Sequence, residues 1–400
     1  MRMHKVTQHA TNKAALAISI VLLVGVLAGC GGGGSSNNTG TGSNSGGSPN
    51  NGGVTPLPAG TELFYLGDDA GHIHGYGLDP ASGNLTPIAV NNMPTAADVR
   101  LAADAGGMVL YSSNAAINAP NVSSWIVDKH TGALTASNSV SLPIYAHGIA
   151  AVERNLYVIS DPSKNNSMLF ALSIDPATAA LVQLSPTVTL PGVPNDLAIA
   201  PSGSWMGLTS GTSGGDIEGI LRSPNGGATG LQLQSPVTTG GDNPRGVRVT
   251  PDGKFVVVVN RGSNNLSVFS LDASTGALTP TPGSPFPSGP QPGPIAIDPS
   301  GKFVLVADSG DNNLTPYTID SAGSLTAGTA VFLGEANSQP GAMAVDPAGK
   351  FVFVGIFNRR VAGFTLDPNT GSLKPMPGSP FSGSPQFTTT DMVFVPGVTH

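Results

Sequence analysis

Three prolines, Pro251, Pro299 and Pro347, stand 48 residues apart in the chain, each opening the same local text. The first copy, Thr250–Asp272, reads TPDGKFVVVVNRGSNNLSVFSLD. Ile297–Asp320 and Val345–Asp367 repeat its pattern. Within a copy, the Pro-x-Gly segment is a tight turn, in which Pro presets φ and Gly accepts a left-handed backbone. The apolar run Phe255–Val259 that follows suits a strand buried on both faces. Asn260–Asn265 is a polar loop, and Leu266–Leu271 alternates apolar and polar residues like a half-buried strand. A fixed period of this size requires a repeat architecture, which must be settled before any residue is read for chemistry.

A second marker counts the units. An Asp-led turn, of which Leu271-Asp272-Ala273-Ser274-Thr275-Gly276 is the clearest, follows each outer strand. Its leading positions are 79, 128, 175, 222, 272, 320 and 367, with Arg222 as a degenerate copy. Seven periods of 48 residues account for Glu62–Gly397. Each unit has room for four short strands, and four strands repeated radially make a β-propeller blade. The expected fold is all-β: a seven-bladed propeller with four antiparallel strands per blade. The first unit lacks an inner strand, while Thr390–Val395 at the C-terminus resembles one. That strand is expected to complete the first blade and close the ring, removing exposed edges.

The frame sorts the loops. Repeated Pro-x-Gly and Asp-x-x-Thr-Gly turns share one face. The variable loops share the other: Ser160–Ser167, Ser210–Asp216, Asn260–Asn265, Asp308–Asn313 and Phe357–Arg360. A binding site is expected on that variable face, around the channel mouth.

The N-terminus carries an address. Arg2, Lys5 and Lys13 precede the apolar run Ala14–Val26, a secretory signal pattern. Leu27-Ala28-Gly29-Cys30 resembles a bacterial lipobox, which implies cleavage after residue 29 and lipidation of Cys30, the chain's single cysteine. Gly31 in place of Asp favours the outer membrane in a Gram-negative cell. The expected segments are 1–29, signal peptide; 30–60, lipidated Cys and Gly/Ser/Asn-rich tether; 61–397, propeller. The tether cannot bury a core, and its ends lie about 30 Å apart as a flexible coil. The net charge is −7, and loss of the three basic residues of the signal takes it to −10. Nucleic acid is therefore not an expected partner. The membrane, through Cys30, is.

TPDGKFVVVVNRGSNNLSVFSLDASTGALTPTPGSPF followed by PGPIAIDPSGKFVLVAD resembles the lactonase-type, or 6-phosphogluconolactonase-like, seven-bladed propellers, which overlap with the YVTN-repeat proteins. The match is close across residues 244–385 and looser across 62–243. These motifs specify the blade and not a reaction. The resemblance implies lactone chemistry with His, Glu and Arg near the channel mouth. His147 stands where a Pro-His-x-His segment often precedes the third inner strand, and Arg245 and Arg261 match family positions in PRGVRV and NRG. The chain departs from the pattern at Tyr145-Ala146-His147, which has one His, at Pro194-Asn195-Asp196, where Arg-His is common, and after the fourth blade's second strand, where no Glu follows.

Aligned inner strands bring Ala97, His147, Asn195, Arg245, Gly293, Gly341 and Thr390 to one rim level. Asp98, Gly148, Asp196, Gly246, Pro294, Ala342 and Asp391 form the next. A lactone hydrolase needs a group that activates water and a donor set for the oxyanion. His147 is the candidate base and Arg245 the candidate clamp. Asn195, Asp196, Asp98, Asp391 and Arg261 are candidate ligand-binding rim residues. No cofactor is expected, with a channel cation such as calcium on Asp98, Asp196 and Asp391 as the lesser alternative. His72 and His74 share one strand face without a third ligand in the pattern, so zinc is not expected. Two functions emerge. The first is an extracytoplasmic binding or scaffold module for a glycan, peptide or protein. The alternative is hydrolysis of a sugar-derived or related lactone at the channel mouth.

Overall fold

The computed structural model describes residues 56–395, apart from 91–96, 118, 161–166, 212–214, 223–230, 235, 358–359 and 382–387. The signal segment, Cys30 and most of the tether lie outside the described residues. So do most of the 160–167 loop and parts of the 210–216 and 357–360 loops. Val54–His400 form one compact unit, and all seven core clusters fall inside it.

Among the described residues every regular element is a strand, and the strands form seven antiparallel sheets. In chain order the inner strands of blades two to seven are Arg100–Ala103, Ala146–Val152, Pro194–Ile199, Pro244–Val249, Pro292–Ile297 and Ala342–Val345. The inner strand of blade one is Thr389–Val395, which pairs with Glu62–Asp68 from Leu63↔Val395 to Gly67↔Asp391. The C-terminal strand thus closes the ring as expected. Four sheets carry a fifth, two-residue strand. It pairs with the third strand of its blade, as Phe286–Pro287 does with Asn265 and Leu266. It continues an outer strand that is interrupted partway.

The second strands carry the core. Phe255–Asn260, Phe303–Asp308 and Phe351–Ile356 are buried along their whole length. Blades bury these apolar faces against one another, which is why no blade stands alone. The turns that lead into the second strands are set locally. Asp298 Oδ1 accepts the Phe303 N–H at 2.7 Å, and Asp346 Oδ1 accepts that of Phe351 at 2.6 Å. Thr250 Oγ1 takes the same role for Phe255 at 3.0 Å.

The degenerate Asp-led turn has a structural reason. Arg222 is buried, donates through Nε to Tyr157 Oη at 2.8 Å and bonds Gly203 O. Its side chain ties blade four to blade three.

Candidate active site

The first residues of the inner strands surround a cavity of about 700 Å³ at the channel mouth, a size suited to a small-molecule ligand. His147, Asn195, Asp196, Arg245, Arg261 and Asp391 all line it. Arg100 and Arg248 line it too, and neither was singled out from the sequence.

His147 sits where the inner strand of blade three departs from regular pairing, between Ala146↔Ser160 and Ile149↔Val158. Its Nδ1 lies 3.1 Å from Asp98 Oδ2. With Nδ1 protonated and donating, Nε2 is left as the basic nitrogen. Asp98 also meets Arg100 Nη2 at 3.2 Å, and Arg100 Nη1 donates to Thr390 O at 2.6 Å. Burial works against the charge on Asp98. The His147 hydrogen bond and the Arg100 guanidinium outweigh it, and the carboxyl lies below its usual range.

Asp98 is not on the expected rim level. Pairing places Arg100 opposite Ser113, the level at which Asp391 faces Gly67, Asp196 faces Thr209 and Gly246 faces Val259. Asp98 instead takes a left-handed corner (φ 62°), like Asn243 and Gln291, each of which precedes the proline that opens its inner strand. Asp tolerates this conformation better than most residues. The corner lets Asp98 orient His147 from outside the strand.

Asp196 and Asp391 share one device. Asp196 Oδ2 accepts the Val247 N–H at 3.0 Å and Arg248 Nη1 at 2.7 Å. Asp391 Oδ2 accepts the Leu101 N–H at 2.9 Å. Each carboxylate therefore fastens its blade to the next inner strand. Burial raises the Asp391 carboxyl despite the Arg100 charge and the Leu101 N–H. Asn195 Nδ2 likewise spans two blades, donating to Pro244 O at 2.7 Å. With Asp98, Asp196 and Asp391 engaged separately, these three carboxylates do not converge on a common cation.

The opposite wall is cationic. Arg261 is held by Gln291 Oε1 at 3.2 Å and Ser309 Oγ at 2.9 Å. Burial, then the neighbouring Arg245 charge, lowers its pKa. Arg245 is exposed and has no hydrogen-bond or ion-pair partner among the described residues. Its free fork can take a carboxylate, a phosphate or a developing oxyanion. A chain of net charge −7 thus concentrates four guanidinium groups at one mouth.

The family model for lactonases with a seven-bladed β-propeller matches residues 220–290 and 281–389. A 6-phosphogluconolactonase from Formosa agariphila is 41% identical over 87 residues, 22% of this chain and 24% of that protein, so the match spans about a quarter of the relative's length. The periplasmic gluconolactonase of Pseudomonas aeruginosa superposes with a TM-score of 0.70 at 19% identity, over 84% of this chain and 99% of that one. A putative 6-phosphogluconolactonase from Bacteroides fragilis gives 0.68 at 18% identity, over 85% of this chain and 100% of that one. At these identities the superpositions establish the fold.

Proposed function

We propose that this chain, whose residues 220–389 match the model for lactonases with a seven-bladed β-propeller, is a lactone hydrolase working at the channel mouth. The order of the two expected functions is thereby reversed: the family match and the relatives favour lactone hydrolysis, and nothing favours the scaffold reading. The observation that carries the proposal is that His147, held by Asp98, lines the same cavity as Arg245, an arginine without a partner among the described residues.

The roles follow from the geometry. Asp98 is a positioning residue: it fixes the His147 tautomer and ring plane, leaving Nε2 as general base. His147 Nε2 takes a proton from water as the oxygen bonds to the lactone carbonyl carbon. Arg245 and Arg261 stabilise the oxyanion, or an anionic substituent of the substrate. When the ring C–O bond breaks, the imidazolium returns its proton to the leaving oxygen, and the product is a hydroxy acid. General-base assistance of this kind contributes about 10²–10⁴ in rate, and oxyanion donors a comparable factor.

The substrate class is a sugar-derived or related lactone met outside the cytoplasm. The signal pattern, the Cys30 lipobox and the periplasmic location of the Pseudomonas aeruginosa neighbour support that address. It disfavours a phosphorylated sugar lactone made inside the cell as the physiological substrate. Lipidation of Cys30 would hold the propeller at the membrane, with the outer membrane favoured by Gly31. The test is hydrolysis of a panel of neutral and acidic aldonolactones and uronolactones by residues 54–400, followed as proton release. Turnover above the spontaneous rate supports the proposal. Folded protein inactive on the whole panel overturns it.

A further inference from the structure

The hairpin between the second and third strands of blade one brings three metal-ligating groups together on the face that bears the channel mouth. Asp68 ends the strand Glu62–Asp68, His72 immediately precedes the returning strand Ile73–Leu78, and His74 is its second residue. Asp68 Oδ2 lies 3.1 Å from His72 Nδ1 and 2.9 Å from His74 Nε2. The three ligand atoms all lie within 4.8 Å of one another, and no other such His/Cys/Asp/Glu group occurs among the described residues. The expectation that His72 and His74 lack a third ligand is therefore corrected.

We propose that Asp68, His72 and His74 form a binding site for a first-row divalent transition metal, with zinc as the representative ion. Ligand atoms in a tetrahedral site with bonds of about 2.0–2.1 Å lie about 3.3 Å apart. The two Asp68 distances, 3.1 and 2.9 Å, would expand by a few tenths of an ångström to admit the ion, and the His72 and His74 nitrogens, within 4.8 Å of each other, would close toward the same spacing. Two imidazoles and one carboxylate suit zinc, nickel or copper and disfavour calcium and magnesium.

The carboxylate is already held as a ligand should be. Its Oδ1 accepts the Ala70 N–H at 3.0 Å and the His72 N–H at 2.8 Å, so the turn aims Oδ2 at both rings. The Asp68 side chain is fully buried, while His74 and His72 are 28% and 41% exposed. An ion would thus be anchored from inside and keep solvent on its outer side.

The site also sits at a joint of the ring. Asp68 O accepts the Val99 N–H at 3.1 Å, and Asp69 O accepts the Asp98 N–H at 3.4 Å. Asp69 Oδ1 accepts the Thr388 N–H, next to the closing strand, at 3.0 Å. A bound ion would brace the turn that joins the closing strand to the Asp98 corner. It is separate from the cavity, whose lining contains none of the three ligands.

The experiment uses untagged residues 54–400 stripped of metal, titrated with zinc by calorimetry, with metal content measured after gel filtration. The expected result is one zinc per chain and a rise in the unfolding temperature on loading. His72→Ala and His74→Ala should each weaken binding by about tenfold or more, and the double variant should lose both binding and the thermal shift. His147→Asn should bind as the parent does. X-ray absorption on the zinc-loaded parent, which needs no variant to fold, should show two imidazole ligands. Absence of stoichiometric binding, binding that survives the double substitution, or a spectrum without two imidazoles would overturn the proposal.

Discussion

Blade six carries a buried acid where blade five carries an amide, and the pair makes a controlled experiment. Asp308 and Asn260 each end a second strand and each pair with the proline that opens the neighbouring inner strand. Both are fully buried. Asn260 Nδ2 donates to Asn265 Oδ1 and Ser267 Oγ, each at 2.7 Å. The matching residues in blade six are Asn313 and Thr315, and Thr315 Oγ1 donates to Asp308 Oδ2 at 3.1 Å. Asp308 Oδ1 has no partner among the described residues. Burial pushes the Asp308 carboxyl from 3.8 up to about 7; the Thr315 bond opposes the shift and the Asp311 charge adds to it. A raised acid favours the folded state fully below its unfolded pKa, and that advantage is lost as pH rises through the folded value. At about 1.4 kcal/mol per unit, ionising Asp308 in place costs ~4 kcal/mol once the pH exceeds 7. Asp308→Asn builds the blade-five arrangement and removes the titration. Its own desolvation cost does not depend on pH. The stability difference between variant and parent should therefore move by ~3 kcal/mol in favour of the variant between pH 5 and pH 8. Urea unfolding of both proteins at the two pH values measures it, and all other titrating groups cancel in the comparison. A difference that stays constant with pH would refute the reasoning.

Further outcomes follow from single contacts. Gly67→Ala should destabilise the ring by ~1–3 kcal/mol, since a Cβ there would lie 2.5 Å from Val99 O across the joint between blades one and two; thermal unfolding reads it. Removing the closing strand Thr389–Val395 should expose the Leu63–Gly67 edge and give an aggregating, partly unfolded product by light scattering and circular dichroism. Arg245→Ala should raise KM for acidic lactones by about tenfold or more while changing a neutral lactone less, because a desolvated charge-assisted bond is worth about 1.5–3 kcal/mol. Asp98→Asn should lower kcat and distort its pH profile, with Asp98→Glu restoring part of the rate.

The blades were legible because their signals are local. An apolar run after Pro-x-Gly and an Asp-led turn after the third strand each act within a few residues, and Thr390–Val395 resembled an inner strand that the first unit lacked. Blade two was misread because its turn, Asp104-Ala105-Gly106-Gly107, has no proline to anchor the count. Its inner strand also lacks the irregularity found at Pro244/Gly246. Asp98 was therefore set on the wrong level, and Arg100, the residue on that level, was missed. Arg248 was visible in PRGVRV, alternating with the rim residue. Asp68 was invisible as a partner of His72 and His74 because it lies on the preceding strand. Only the register Gly67↔Ile73 brings it beside them. The use of Asp196 and Asp391 as fasteners between blades depends on contacts with the next blade, which no spacing within one blade reveals.

The central claim is that His147, oriented by Asp98, activates water at the channel mouth. The most direct test compares kcat/KM for the best lactone of the panel between the parent and His147→Asn by pH-stat, with circular dichroism confirming the same all-β fold. The account predicts a fall of about 10²–10⁴, with KM changed little and zinc binding by the parent retained in the variant. Unchanged turnover in folded His147→Asn would contradict it and place the chemistry elsewhere on the propeller.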